Sequence, residues 1–303
     1  MSKKLNIVCF GEILIDVFPD MERIGGAPLN VASRLASMGA DVEMISKVGS
    51  DAKGGQLKNY LQGKSIRIDN IEEDPEHKTG MVDVQLSQGG SATYTIEYPA
   101  AWDKIDLTED ILNSVKNADA LVYGSLVCRD EVSRKTLLSL LPQAKYRILD
   151  YNLRPPHYNK ELLIELMKHA NFIKFNDDEL FEIAALMGSK YNSLEQNLLF
   201  MAVNSKADTI CVTKGRHGAV LMRDKKFFYN SGYKINVKDT VGAGDSFLGT
   251  LIAKLLQGQP PQKALDCACA VGALVASKEG ANPELSSETI ENFMNPPEYH
   301  HKD

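Results

Sequence analysis

Short apolar runs alternate along this chain with stretches of helical spacing. "LNIVCF" closes on Gly11, and "VEMISKVG", "ADALVYGS", "YRILDYN", "NFIKFN" and "DTICVTKG" each end on glycine or a polar residue. Between them, "APLNVASRLASMG" sets Val31, Leu35 and Met38 on one face and stops at Gly39, a residue suited to a helix C-terminus. "GGQLKNYLQGK", "DEVSRKTLLSLLPQ", "KELLIELMKHA" and "DDELFEIAALMG" repeat the helical pattern. Strands that are continuously apolar and separated by helices predict an α/β fold, with a mostly parallel sheet covered on both faces. Ligands of such sheets bind outside the C-terminal strand ends, where the polar tails of these runs fall.

Two segments break the rhythm. Met81, Asp83 and Gln85 alternate with Val82, Val84 and Leu86, "QGG" turns the chain, and "TYTIEY" alternates again, which predicts a β-hairpin. "ILIDVFPDMERIGG" reads as two more short strands. The two excursions, about 12–28 and 78–104, are expected to pair into a small β lid inserted in one large α/β unit spanning 1–303. Trp102 follows the hairpin and either walls the pocket or fills the core. The tail "NPPEYHHKD" is polar and is expected to be loosely ordered.

Composition narrows the function. Hydrophobic residues make up 44% and charged residues 24% of the 303, enough apolar surface for a substantial core. The net charge of −6 argues against bulk-charge binding to nucleic acid. No uncharged stretch approaches the roughly 18 residues needed to span a bilayer, and Glu12 and Asp16 interrupt the first apolar run before it reaches a secretory core. The five cysteines lack C-x-x-C pairing and sit mostly in apolar runs, so buried reduced thiols and a cytoplasmic location are expected.

Two motifs carry chemistry. In "VKDTVGAGDSFLGTLIAKLL", a strand is expected to lead into Asp239 and Thr240. Gly242, Ala243 and Gly244 then make a small-residue turn, followed by Asp245 and an apolar helix from Ser246. Small residues bring N–H groups close to a ligand, and a helix start favours an anion. An acid in that place suits removal of a proton from a hydroxyl that attacks a phosphate, although aspartate is also a common helix-start residue. The segment is neither a Walker loop nor a dinucleotide fingerprint, since Phe247 stands at the third glycine position. In the second motif, "IGGAPLNVASRLASMG", Gly25 and Gly26 allow close backbone approach. Asn30 offers a donor and an acceptor, and upstream Asp16 interrupts an apolar strand.

Together these motifs resemble the two sequence patterns of the ribokinase/PfkB family of carbohydrate kinases. The first spans 25–49, with paired glycine, Asn30, Ala32, Gly39 and Gly49; the second spans 239–251, with Thr250 where a smaller residue is usual. The resemblance implies a ribokinase-like α/β body with a β lid. It also implies transfer of the γ-phosphoryl of ATP to a primary hydroxymethyl group of a sugar. It casts Asp245 as catalytic base, the N–H groups of Gly242, Ala243 and Gly244 as the anion hole, and Asp16, Gly26 and Asn30 as sugar contacts. Asn176 and Glu179 resemble the N-x-x-E element that organises Mg²⁺ and phosphates, with Glu179 reaching the ion through water; a charged helix start is the plainer reading. Thr213, Gly215 and Gly218 resemble the nucleotide side. Asp239 fits a monovalent cation site whose other ligands are mostly backbone carbonyls, so a K⁺ site is left open.

"DYNLRPPHY" puts Arg154 just past a strand, where it clamps a ligand oxygen or lies at the surface. With "GEILIDVFP" and "GGAPLNVA", this segment looks most like bacterial fructokinases. Kinases of 2-keto-3-deoxygluconate and ribose are the near alternatives, and a catalytically silent sensor of the same fold is the distant one. The expected partners are a sugar and ATP, with a second copy of the chain paired through the lid.

Overall fold

The computed structural model describes residues 4–86 and 92–296. In chain order the first half runs β1 (Asn6–Phe10), β2 (Leu14–Val17), β3 (Glu22–Gly25), α1 (Ala27–Ser37), β4 (Asp41–Gly49), α2 (Ala52–Gly63), β5 (Ile71–Asp74), β6 (Gly80–Leu86), β7 (Ala92–Ile96), α3 (Glu109–Asn117), β8 (Ala120–Gly124) and α4 (Glu131–Leu140). The second half runs β9 (Arg147–Asp150), α5 (Lys160–His169), β10 (Phe172–Asn176), α6 (Asp177–Leu186), α7 (Leu194–Asn204), β11 (Thr209–Thr213), β12 (Ala219–Arg223), β13 (Lys226–Asn230), α8 (Ala243–Leu256), α9 (Pro261–Ala276) and α10 (Ser287–Met294).

Nine strands form the main sheet in the order β13-β12-β11-β10-β9-β8-β1-β4-β5. The seven from β11 to β5 are parallel, and β12 and β13 close one edge antiparallel. The side-chain period of two sorts β1 onto two cores. Ile7 and Cys9 join Val42, Met44 and Leu248 on one side, while Val8 and Phe10 join Leu121, Tyr123 and Leu149 on the other. Burial on both faces explains why these strands read as unbroken apolar runs.

The two excursions pair as a separate four-stranded sheet, β3-β2-β6-β7. Its centre is the parallel pair β2–β6, with Leu14 opposite Gly80, and the outer pairs are antiparallel. Leu14, Val82 and Val84 make its own small core against Phe18 and Ile96. The turn expected at "QGG" and the tail from 297 onward lie outside the described residues. Trp102 is 0% exposed and belongs to the main core, with the Arg129 guanidinium 4.0 Å from its ring centroid, so it does not wall a pocket.

Around α8 the structure corrects the sequence reading twice. Residues 231–242 form no strand, so Asp239 and Thr240 lie in an irregular approach. The helix starts at Ala243 rather than Ser246, which puts Ala243, Gly244 and Asp245 in its first turn. Thr250 is buried on α8, and its hydroxyl is spent on the Ser246 carbonyl at 2.8 Å, a bond that lets a polar residue sit in the packed face. All five cysteines are buried and unpaired. Among the described residues no helix is long and apolar enough to cross a membrane.

Candidate active site

β1 lies between β4 and β8, so the chain leaves it on one side and returns on the other. That reversal opens a crevice at the C-terminal strand ends. A small, partly open cavity of about 10 Å³ sits there, lined among others by Glu12, Ala27, Tyr123, Ser125, Asp150 and Asn152.

Two glycines shape the entry of α1, which lines this cavity, and of α8, which packs beside α1. Gly26 has φ 108°, and a Cβ there would lie 2.5 Å from the Glu12 carbonyl, so α1 can start against the turn after β1 only without a side chain. Gly242 has φ 73°, and a Cβ there would lie 2.6 Å from the Ala281 Cα. This left-handed residue swings the chain into α8. The Ser246 N–H makes the first helical bond, to the Gly242 carbonyl at 2.8 Å, while the Ala243 N–H donates to Thr240 at 3.2 Å. The Gly244 and Asp245 N–H groups stand at the helix N-terminus, where the dipole favours an anion.

Asp245 is half-buried, and its Oδ2 accepts a hydrogen bond from Asn30 Nδ2 at 2.8 Å. Asn30 is itself held, since its Oδ1 accepts from Asn282 Nδ2 at 2.7 Å. Enclosure pushes the Asp245 carboxyl above its ordinary range, opposed by the Asn30 donor and the charges of Lys174 and Arg154. Buried Arg34 of α1 ties the same elements together, donating to Ser246 Oγ and to the Pro283 carbonyl.

Asp16 is on β2, directly opposite Arg23 of β3. Burial raises its carboxyl to about 6, against Arg154 and Arg23. Arg154 is exposed just past β9; it donates to the Leu153 carbonyl, and its charge reaches Glu12, Asp16, Asp150 and Asp245. Asn176 and Glu179 form a reciprocal cap on α6. Asn176 Oδ1 accepts from the Glu179 N–H, while Glu179 Oε2 accepts from the Asn176 N–H and Oε1 from the Leu153 N–H, each at 2.8 Å. Thr213 ends β11, and Gly215 and Gly218 turn the chain toward β12 with φ of 52° and 78°. Asp239 is bonded to Arg23 and accepts from the Val241 and Gly280 N–H groups. Burial works against its charge, yet these donors hold its carboxyl below the usual range.

Four residues escaped the sequence reading. Asn282 fixes Asn30, but an asparagine in "EGANP" carries no distinguishing pattern. Glu12 is buried with Oε2 unpartnered, and desolvation lifts its carboxyl to about 7. Lys174 and Asp150 form a buried ion pair at 2.9 Å. A charge embedded in "FIKFN" was the available signal.

A small separate β sheet inserted after the first strand of a mostly parallel sheet, and a carboxylate in the first turn of a helix with a small-residue start, are the architecture of an α/β sugar kinase. A family model described as pfkB family carbohydrate kinase matches residues 4–288. The chain belongs to that family. It is 30% identical to a fructokinase of Solanum tuberosum over 308 residues, covering 93% of each chain. It is 27% identical to a fructokinase of Salmonella typhimurium over 295 residues, covering 91% of this chain and 94% of that one. The crystal structure of fructokinase from Vibrio cholerae O395, in fructose, ADP and calcium ion bound form, matches with TM-score 0.82 at 25% identity, over 96% of this chain and 99% of that one.

Proposed function

We propose that the chain transfers the γ-phosphoryl group of ATP to the primary hydroxymethyl group of D-fructose, giving fructose 6-phosphate. The hydrogen bond from Asn30 to Asp245 carries this reading, because it joins the sugar-side helix α1 to the acid at the start of α8. Asn30 occupies Oδ2 and leaves Oδ1 of Asp245 to take the proton of the attacking hydroxyl. The Ala243 N–H expected in the anion hole is spent on the Thr240 carbonyl, so the Gly244 and Asp245 N–H groups take over the developing phosphoryl charge, and fixed donors there cost no reorganisation. Asp16, Gly26 and Asn30 take the sugar hydroxyls, while Thr213, Gly215 and Gly218 border the nucleotide.

Among the described residues no cluster of three or more acidic, histidine or cysteine side chains could hold a metal alone. A divalent ion would therefore arrive with the phosphates, and Glu179 fits an indirect contact. Its carboxylate is fixed by two backbone donors, and each oxygen keeps a lone pair for an ion-bound water. We assign that ion as Mg²⁺, which when bound neutralises phosphate charge. Asp239 already has Arg23 as counter-ion, so a K⁺ site would draw chiefly on nearby carbonyls.

Fructose ranks above the sugar acid 2-keto-3-deoxygluconate because a carboxylate wants a lid cation. The segment 79–102 contains no Lys or Arg, and Arg23 is committed to Asp239. An ADP-release screen over ketoses, aldoses, sugar acids and nucleosides tests this. A preference for the sugar acid would move the substrate, and no sugar turnover at all would remove the activity.

The fully reduced, buried cysteines suit a reducing cytoplasm. The lid ends in edge strands β3 and β7 and exposes Tyr94 and Tyr98, features that invite pairing. We expect a two-fold homodimer through the lid, and a monomer in light scattering at high micromolar concentration would refute it.

A further inference from the structure

The ion pair of Lys174 and Asp150 is not used by the chemistry above. Lys174 lies inside β10 and is 6% exposed; Asp150 ends β9 and is 4% exposed. Taking two such charges out of water costs several kcal/mol per ion, and apolar residues of similar volume often serve a core as well or better. The pair is also incompletely bonded. Asp150 Oδ2 has no partner, and among the described residues the three N–H donors of Lys174 meet one acceptor, Asp150 Oδ1. Core stability therefore explains it poorly.

What the ammonium faces explains it better. A Cβ built on Gly244 would lie 3.9 Å from Lys174 Nζ and would meet nothing else within 4 Å. The ammonium thus floors the open side of Gly244, in the first turn of α8 and one residue before Asp245. Helix dipole and ammonium act there with the same sign. The charged groups bearing on Asp245 are Lys174 from β10, Arg154 from the loop after β9, Asp150 from β9 and Glu12 from the turn after β1; Asn30 of α1 is neutral. Arg154 is exposed and screened by solvent, whereas Lys174 is dry and its field is not.

We propose that Lys174 is a positioning residue for phosphoryl transfer: its ammonium, fixed by Asp150, holds the Asp245 carboxylate ionised and keeps the recess at Gly244 positive. This inference rests on the kinase reading. It predicts that charge, rather than shape, is what position 174 supplies.

The test compares Lys174→Arg, which keeps the charge, with Lys174→Met/Asp150→Asn, which removes both charges and strands neither. Wild type and variants are assayed for kcat/KM across pH with saturating ATP, and their affinities for ADP and fructose are measured by calorimetry. The neutral double variant also loses Asp150, a like charge beside Asp245 that offsets part of the loss of Lys174, so it should raise the acid limb by a fraction of the roughly 1 pH unit that losing a nearby opposite charge alone would give. Its kcat should fall at least about tenfold, with both affinities within about threefold of wild type. Lys174→Arg should leave the limb in place. A neutral double variant with unchanged limb and turnover would overturn the proposal while the kinase reading stands. A wild type that transfers phosphate to no sugar would overturn both. Should the double variant not fold, Lys174→Gln read at the same limb decides the matter in the same way.

Discussion

Arg23 on lid strand β3 is ion-paired with Asp239 on the loop that enters α8. The pair joins the small sheet to the segment that leads into α8. Arg23→Ala should loosen this attachment and raise the KM for sugar by roughly 2–5-fold, the worth of a partly exposed ion pair, with a smaller effect on kcat. Steady-state kinetics at low and high ionic strength check it, because salt should reproduce the defect in wild type and add little to the variant.

Asp245→Asn should fold and bind ligands nearly as wild type, yet lose roughly 10²–10⁴ in kcat, the usual contribution of a general base. Enclosure raises the Asp245 carboxyl, and the base works only when ionised. Wild-type kcat/KM should therefore hold at high pH and fall as pH drops through a value above the ordinary 3.8 of aspartate. An acid limb at or below 3.8 would contradict the assignment.

Two neighbouring glycines should fail in different ways. At Gly244 a Cβ meets only Lys174 Nζ, at an ordinary 3.9 Å, so Gly244→Val should melt closer to wild type than a change at Gly242 while filling the phosphoryl recess and losing on the order of 10²–10³ in rate. Gly242→Val meets Ala281 and a left-handed backbone, so it should lose stability itself. Thermal melts paired with turnover separate the two.

Glu12 links stability to pH. Its ordinary value is 4.5, and burial lifts it to about 7 in the fold. Between those values the folded chain keeps a proton that the unfolded chain has released, so stability declines as pH rises through this window and stays lower above it. Glu12→Gln removes the decline. Relative to wild type, the variant should gain on the order of 2 kcal/mol between pH 5 and pH 8 in denaturant titrations.

Much of the body was legible because its helices carry apolar residues at helical spacing and stop at glycines such as Gly39 and Gly63. The edge strands β12 and β13 were not, since a short apolar run looks the same whether its neighbour is parallel or antiparallel. Helix α7 was missed for a related reason: in "LEQNLLFMAVN" apolar residues surround the axis rather than forming a stripe. Asp245 and Asn30 stood out through their small-residue surroundings. Lys174 and Asp150 did not, because a polar residue near the end of an apolar run usually marks only where a strand leaves the core. Their meaning came from β9 and β10 being adjacent in the sheet, which the linear pattern does not encode.

The contact of Asn30 with Asp245 closes a span of 215 residues, and Asn282 reaches Asn30 across 252. A chain emerging from the ribosome therefore carries its sugar-side half long before the acid that would act on the sugar exists. Synthesis must be nearly complete before the two halves can meet. A truncated or stalled product ending before α8 would present the sheet face of Ile7, Cys9, Val42 and Met44 without the Leu248 and Leu251 that pack on it. Such fragments have no means of transferring phosphate, and they expose apolar surface that quality-control machinery recognises.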